Sequence, residues 1–82
     1  MPRFFFHTED GHIFCDPEGA ELPSVDAARA EGVRVFSEVL RDAPDRFLEE
    51  ERFRLHVTDA KGQVVYQLDL NGGQVPSQDR RH

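Results

Sequence analysis

Residues 3–14 read RFFFHTEDGHIF, and the three adjacent phenylalanines decide what kind of sheet this chain can build. Neighbouring side chains of a β-strand point to opposite faces. Phe4 and Phe6 therefore enter one core while Phe5 points the other way. The pair Asp10-Gly11 favours a two-residue hairpin turn in which both central residues take positive φ. That turn pairs Glu9 with His12, Thr8 with Ile13, His7 with Phe14 and Phe6 with Cys15. One face then carries Phe4, Phe6, Thr8, Ile13 and Cys15, and the other Arg3, Phe5, His7, His12 and Phe14.

A second alternating stretch, RFRLHVTDAKGQVVYQLDL at 52–70, is divided by Asp59-Ala60-Lys61-Gly62. A four-residue loop there sets Val57 against Val64, Leu55 against Tyr66 and Phe53 against Leu68, so every pair on the core face is apolar. The opposite face receives Arg52 with Asp69, Arg54 with Gln67 and His56 with Val65. A slip of one residue would turn every side chain of one strand over.

Between the hairpins, Pro17, Gly19 and Pro23 punctuate a loop. Ser24 is placed to cap a helix over 25–42, and Asp26 suits the positive end of its dipole. Val25, Ala28, Gly32, Val35, Phe36 and Val39 form its apolar stripe. Gly32 costs about 1 kcal/mol relative to Ala in mid-helix, and close approach of helix to sheet accounts for it. Pro44 ends the helix or opens a short extra turn through Phe47 and Leu48. Strands are expected at 3–9, 12–16, 51–58 and 63–70. The fold class is thus α+β, a β-β-α-β-β unit over residues 1–70 with an antiparallel sheet of order 2-1-3-4 and one helix on one face. Residues 71–82, NGGQVPSQDRRH, lack any hydrophobic period and are expected to be a disordered tail.

The 82 residues carry a formal charge of −6 and one cysteine. The acidity disfavours a general nucleic-acid binder, and a lone Cys15 excludes an internal disulfide and fits a reducing cytosol. With no apolar run long enough to span a bilayer, no membrane role is expected and a cytoplasmic location is. His7, His12, Cys15 and His56 show none of the spacings that gather metal ligands, so no metal or other cofactor is expected. Glu9, Asp10, Asp16 and Glu18 read as turn-forming and solvated acids rather than a calcium loop or a catalytic pair. Ser24 and Ser37 lack a companion His and Asp. No enzymatic activity is expected.

The stretches MPRFFFH, DPEGAEL at 16–22, AARAE at 27–31 and VTDAKG at 57–62 resemble, over residues 1 to 70, a family of short bacterial proteins known only as a domain of unknown function. The usual pattern there runs M-P-R-Y-F-F-H, then D-x-x-G-x-E-L, then V-x-D-x-x-G. Phe4 stands where that family usually has tyrosine and Phe53 where tryptophan is common, so both positions stay aromatic but lose a polar handle. The order of strands and helix also resembles HicB-type antitoxins, a likeness at the level of fold.

The helix-free face is where function is expected. It combines Phe5, Phe14 and Val65 with Arg3, Arg52, Arg54, His7 and His56, a locally basic and aromatic surface on an acidic chain. Aromatics and arginine are enriched at protein interfaces, and stacked aromatics with cations also bind single-stranded RNA. The expectation is a small non-catalytic binding module acting through Arg3, Phe5, His7, Phe14, Arg52, Arg54 and His56, as a homodimer or with another protein. The alternative is an antitoxin-like or RNA-associated regulator holding a basic toxin or RNA. Phe5 is expected to be covered by a second chain or by the C-terminal segment.

Overall fold

The computed structural model describes residues 1–76. Its elements are β1 (Arg3–Glu9), β2 (Ile13–Phe14), β3 (Ala20–Glu21), α1 (Val25–Asp42), α2 (Pro44–Glu50), β4 (Arg52–Thr58) and β5 (Val64–Asn71). The sheet is antiparallel in the order β2-β1-β4-β5, with β3 also pairing with β1. Apart from the extra short strand β3 and the second helix α2, this is the α+β arrangement and strand order that the sequence implies.

Helix α1 begins where Ser24 accepts a hydrogen bond from the Ala27 amide at 3.1 Å, and Asp26 lies in its first turn. Pro44 opens α2 rather than ending all helical structure, because a proline loses no hydrogen bond at the first helical position. Arg46 of α2 reaches back to Asp10 in the first turn at 2.9 Å, which ties α2 to the first hairpin.

The core lies between the sheet and α1. Phe4 and Phe6 of β1, Phe53, Leu55 and Val57 of β4, and Ala28 of α1 are buried. Phe36 of α1 stacks on Phe53 with ring centroids 4.8 Å apart. Gly32 sits where the helix crosses the sheet: a Cβ built there would lie 3.2 Å from Val57 Cγ2 and 3.5 Å from Leu55 Cδ2. A larger side chain would hold the helix off the sheet.

Both hairpins differ in register from the sequence expectation. In the first, Glu9 pairs with Ile13 and Thr8 with Phe14, because the loop has three residues, Asp10-Gly11-His12, with Gly11 at φ 95°. This one-residue shift places Phe14 on the face of Thr8 and moves Ile13 to the other side. In the second, Arg54 pairs with Asp69, Leu55 with Leu68 and Arg52 with Asn71, a shift of two residues. A shift of two preserves the faces. It is absorbed near the turn, where the register slips between Val57 and Thr58, leaving Val65 as the extra residue and packed against the core instead of beside His56.

The expected strand at 12–16 stops at Phe14. After β2 the chain leaves the edge of β1 as the loop Cys15–Gly19 and returns to the same edge as β3. Asp16 causes the break, since its carboxylate takes the Phe6 amide that a strand carbonyl would otherwise have accepted. The irregular C-terminal segment begins later than expected: Asn71 belongs to β5, and the Gly72 amide donates to the Glu51 carbonyl at 2.9 Å. Residues 77–82 of the expected tail lie outside the described residues.

Candidate functional site

Because side chains alternate along β1 and β4, the residues between the buried ones face away from α1. On β1 these are Arg3, Phe5, His7 and Glu9, and on β4 they are Arg52, Arg54, His56 and Thr58. The pairings align them in rows across the sheet: Phe5 with Thr58, His7 with His56 and Gln67, Glu9 with Arg54 and Asp69, and Arg52 with Asn71. Six of the seven expected site residues therefore share this face. Phe14 does not, for the reason of register just given.

Charge on the face is balanced rather than basic. Arg3 pairs with Glu21 at 3.1 Å and donates to the Glu18 carbonyl at 2.7 Å. Arg54 Nε meets Asp69 Oδ1 at 2.5 Å, and Gln67 Nε2 donates to the other oxygen at 3.0 Å. The Arg54 hydrogen bond, joined by that of Gln67, holds the Asp69 carboxyl below the usual range. The same contact, with Glu9 near, keeps the Arg54 guanidinium raised. Three arginines, Arg3, Arg52 and Arg54, thus stand among three carboxylates, Glu9, Glu21 and Asp69. Among the described residues only Arg52 of the three has no carboxylate within ion-pair distance.

A polar strap crosses the β1 side of the face. The Asp16 amide donates to His7 Nδ1 at 3.0 Å, and His7 Nε2 lies 3.1 Å from Thr58 Oγ1. Since Nδ1 accepts, the neutral ring carries its proton on Nε2 and donates to Thr58. This polarity is the reverse of what would activate a hydroxyl: a general base needs a free lone pair on the nitrogen facing it. His7 and Thr58, although adjacent, are therefore arranged as a brace. Thr58 is buried.

Asp16 anchors the strap. Its Oδ2 accepts from the Phe6 amide at 3.2 Å, and its Oδ1 from the amides of Glu18 and Gly19 at 3.1 and 3.2 Å. Partial burial is the largest single influence on its carboxyl and pushes its pKa up. The three amides outweigh it and hold the group below the ordinary value of 3.8. Phe5 is half-buried by this same loop. A Cβ on Gly19 would lie 2.9 Å from the Phe5 ring, and the ring is parallel to that of His7 with centroids 6.4 Å apart. The expected cover for Phe5 was a second chain or the C-terminal segment, whereas the loop 15–19 itself shields it. Asp16 and Thr58 were not among the expected site residues. The readable signal was D-P-E-G, in which an aspartate bonds to amides two and three residues on.

Among the described residues no three His, Cys, Asp or Glu side chains gather as a metal-ligand set, and no helix is long and apolar enough to cross a membrane. The family profile described as "Domain of unknown function (DUF6894)" matches residues 3–71. The chain belongs to the DUF6894 family. That match takes in both hairpins, both helices and the D-P-E-G loop, so the whole sheet face described above lies within the DUF6894 domain. No curated protein and no solved structure matches the chain.

Proposed function

We propose that this DUF6894 protein is a small non-catalytic interaction module of the cytoplasm that engages another protein through its helix-free sheet face. The observation that carries the proposal is the composition of that face: beyond the loop 15–19 on its β1 side, no helix or strand among the described residues lies over it, and it presents Ile13, 73% exposed, at the edge next to Glu9, together with His56, Arg52 and the half-covered Phe5. A rigid platform with one loose cation, a neutralised row of charges and an apolar rim suits a protein partner. The His7–Asp16 brace supports the platform by fixing the rings that border it. An RNA partner draws less support, because two of the three arginines are already held by carboxylates and the phosphate backbone rewards free cations. Cys15, free and exposed, is compatible with the reducing cytoplasm.

The test is affinity capture from the native cytoplasm with wild type and with Ile13→Asp plus Arg52→Glu as baits. A partner held by wild type and lost by the double variant, with both baits equally folded by circular dichroism, supports the face as the contact. A partner retained by both would reject it.

A further inference from the structure

The two edges of the sheet are treated differently. On the β1 side the edge is cut into two-residue strands, β2 and β3, separated by a loop containing Asp16 and Pro17, one of the ways in which proteins blunt a sheet edge. On the other side β5 runs for eight residues, VVYQLDLN, with no proline and no lysine. Nothing among the described residues pairs with its outer edge. We propose that this edge is the seat of a second copy of the chain, joined β5 to β5 in antiparallel register. The proposal goes beyond the reading of the sheet face and does not depend on it, since it leaves that face open on both copies.

The sequence of β5 is self-complementary in one register. An antiparallel pair related by a two-fold axis has that axis perpendicular to the sheet, so both α1 helices lie on the same side and core-side residues face core-side residues. With Leu68 opposite its own copy, Tyr66 faces Leu70 of the second copy and Leu70 faces Tyr66. Tyr66, Leu68 and Leu70 are each only half-buried in the single chain, as expected of residues at an unfinished edge. On the opposite face Gln67 falls opposite Asp69 of the copy, an amide against an acid already held by Arg54. Shifting the pairing one way sets Asp69 against Asp69, a like-charge pair directly opposite. Shifting it the other way draws the irregular Val64–Val65 step into the ladder. The register centred on Leu68 avoids the like-charge pair and leaves the irregular step at the end of the ladder, with Val65 opposite Asn71.

The helix layer continues the match. A groove of about 380 Å³ runs between α1 and β5, lined by Asp26, Arg29, Ala30, Val33 and Tyr66. Val33 is 47% exposed there, and the Arg29 guanidinium lies 5.2 Å from the centre of the Tyr66 ring. In the two-fold arrangement each groove borders the Leu70 of the other copy that lies opposite its Tyr66.

Sedimentation of the full-length protein with changes at exposed Gln67 tests the proposal. Wild type is expected to sediment as a species of twice the 9.4 kDa chain mass. Gln67→Asp places a like charge opposite Asp69 twice per dimer and should raise the dissociation constant about tenfold, whereas Gln67→Lys should leave it unchanged or lower it. A wild type that stays monomeric over the accessible concentration range would overturn the proposal, and so would a dimer indifferent to both changes. A dimer indifferent to Gln67 but broken by Ile13→Asp with Arg52→Glu would overturn it in favour of self-association through the sheet face.

Discussion

Asp16 does for β1 what a neighbouring strand residue would otherwise do. Its two oxygens satisfy three amides, and its own amide fixes the tautomer of His7. Asp16→Ala leaves those amides short of an acceptor and is expected to lower stability by about 2 kcal/mol, the usual scale for amides bonded to a charged group, while Asp16→Asn should lose less because one acceptor oxygen remains. Urea denaturation of the three proteins gives the comparison. The pH dependence has a definite sign. Because the folded-state pKa of Asp16 lies below its ordinary 3.8, its contribution is complete above that value and is lost as pH falls from 3.8 through the lower folded-state value. The stability gap between wild type and Asp16→Ala should therefore be constant at neutral and mildly acidic pH and narrow only below 3.8. A gap that closed at higher pH would mean that Asp16 is not held low.

At the scale of elements, two glycines make opposite demands. Gly19 has φ 70° and a built Cβ only 2.6 Å from the Phe4 carbonyl oxygen. That oxygen is backbone and cannot recede, so Gly19→Ala is expected to cost more than about 2 kcal/mol and to dislodge the loop from Phe5. Loss of protection at the Phe6 amide in hydrogen exchange would report it. Gly32 is in ordinary helical conformation and fails by contact instead: Gly32→Val drives a branched side chain into Val57 and should cost about 2 kcal/mol by overpacking, read as a lowered urea midpoint. Alternation along a strand is local, and that is why the faces of β1 and β4 were legible in the sequence. Pairing between strands was not. Asp10-Gly11 serves a two- or a three-residue loop equally well, since either needs a glycine at positive φ, and the one-residue difference sent Phe14 to the wrong face. The two-residue shift of β5 was harmless to the faces, yet it changed the partners of both arginines, passing Asp69 from Arg52 to Arg54 and setting Arg52 opposite Asn71. Strand β3 has only two residues, too few to show a period.

For the molecule as a whole, that change of partners decides how the candidate face should respond to salt. The sequence sets Arg52 opposite Asp69 and Arg54 opposite an amide, and the face is read as basic from Arg3, Arg52, Arg54, His7 and His56 together. In the fold Arg54 lies between Glu9 and Asp69 on neighbouring strands, so replacing it by glutamate would set three carboxylates in one row and confound binding with stability. Arg54→Gln keeps the apolar stem and removes one exposed ion pair, a change expected to cost less than about 1 kcal/mol. With three arginines offset by three carboxylates, the face should bind its protein partner with little dependence on ionic strength, because few counterions are released when a locally neutral surface is covered. A polyanion would behave otherwise, its affinity falling steeply as salt rises. Titrating single-stranded RNA and the captured partner against the protein at several salt concentrations separates the two cases. Partner binding with a shallow slope, undiminished by Arg54→Gln, agrees with a neutral interaction face. Saturable RNA binding with a steep slope that Arg52→Glu abolishes would show that the face is a nucleic-acid surface that needs Arg52, and the protein-partner proposal would fall.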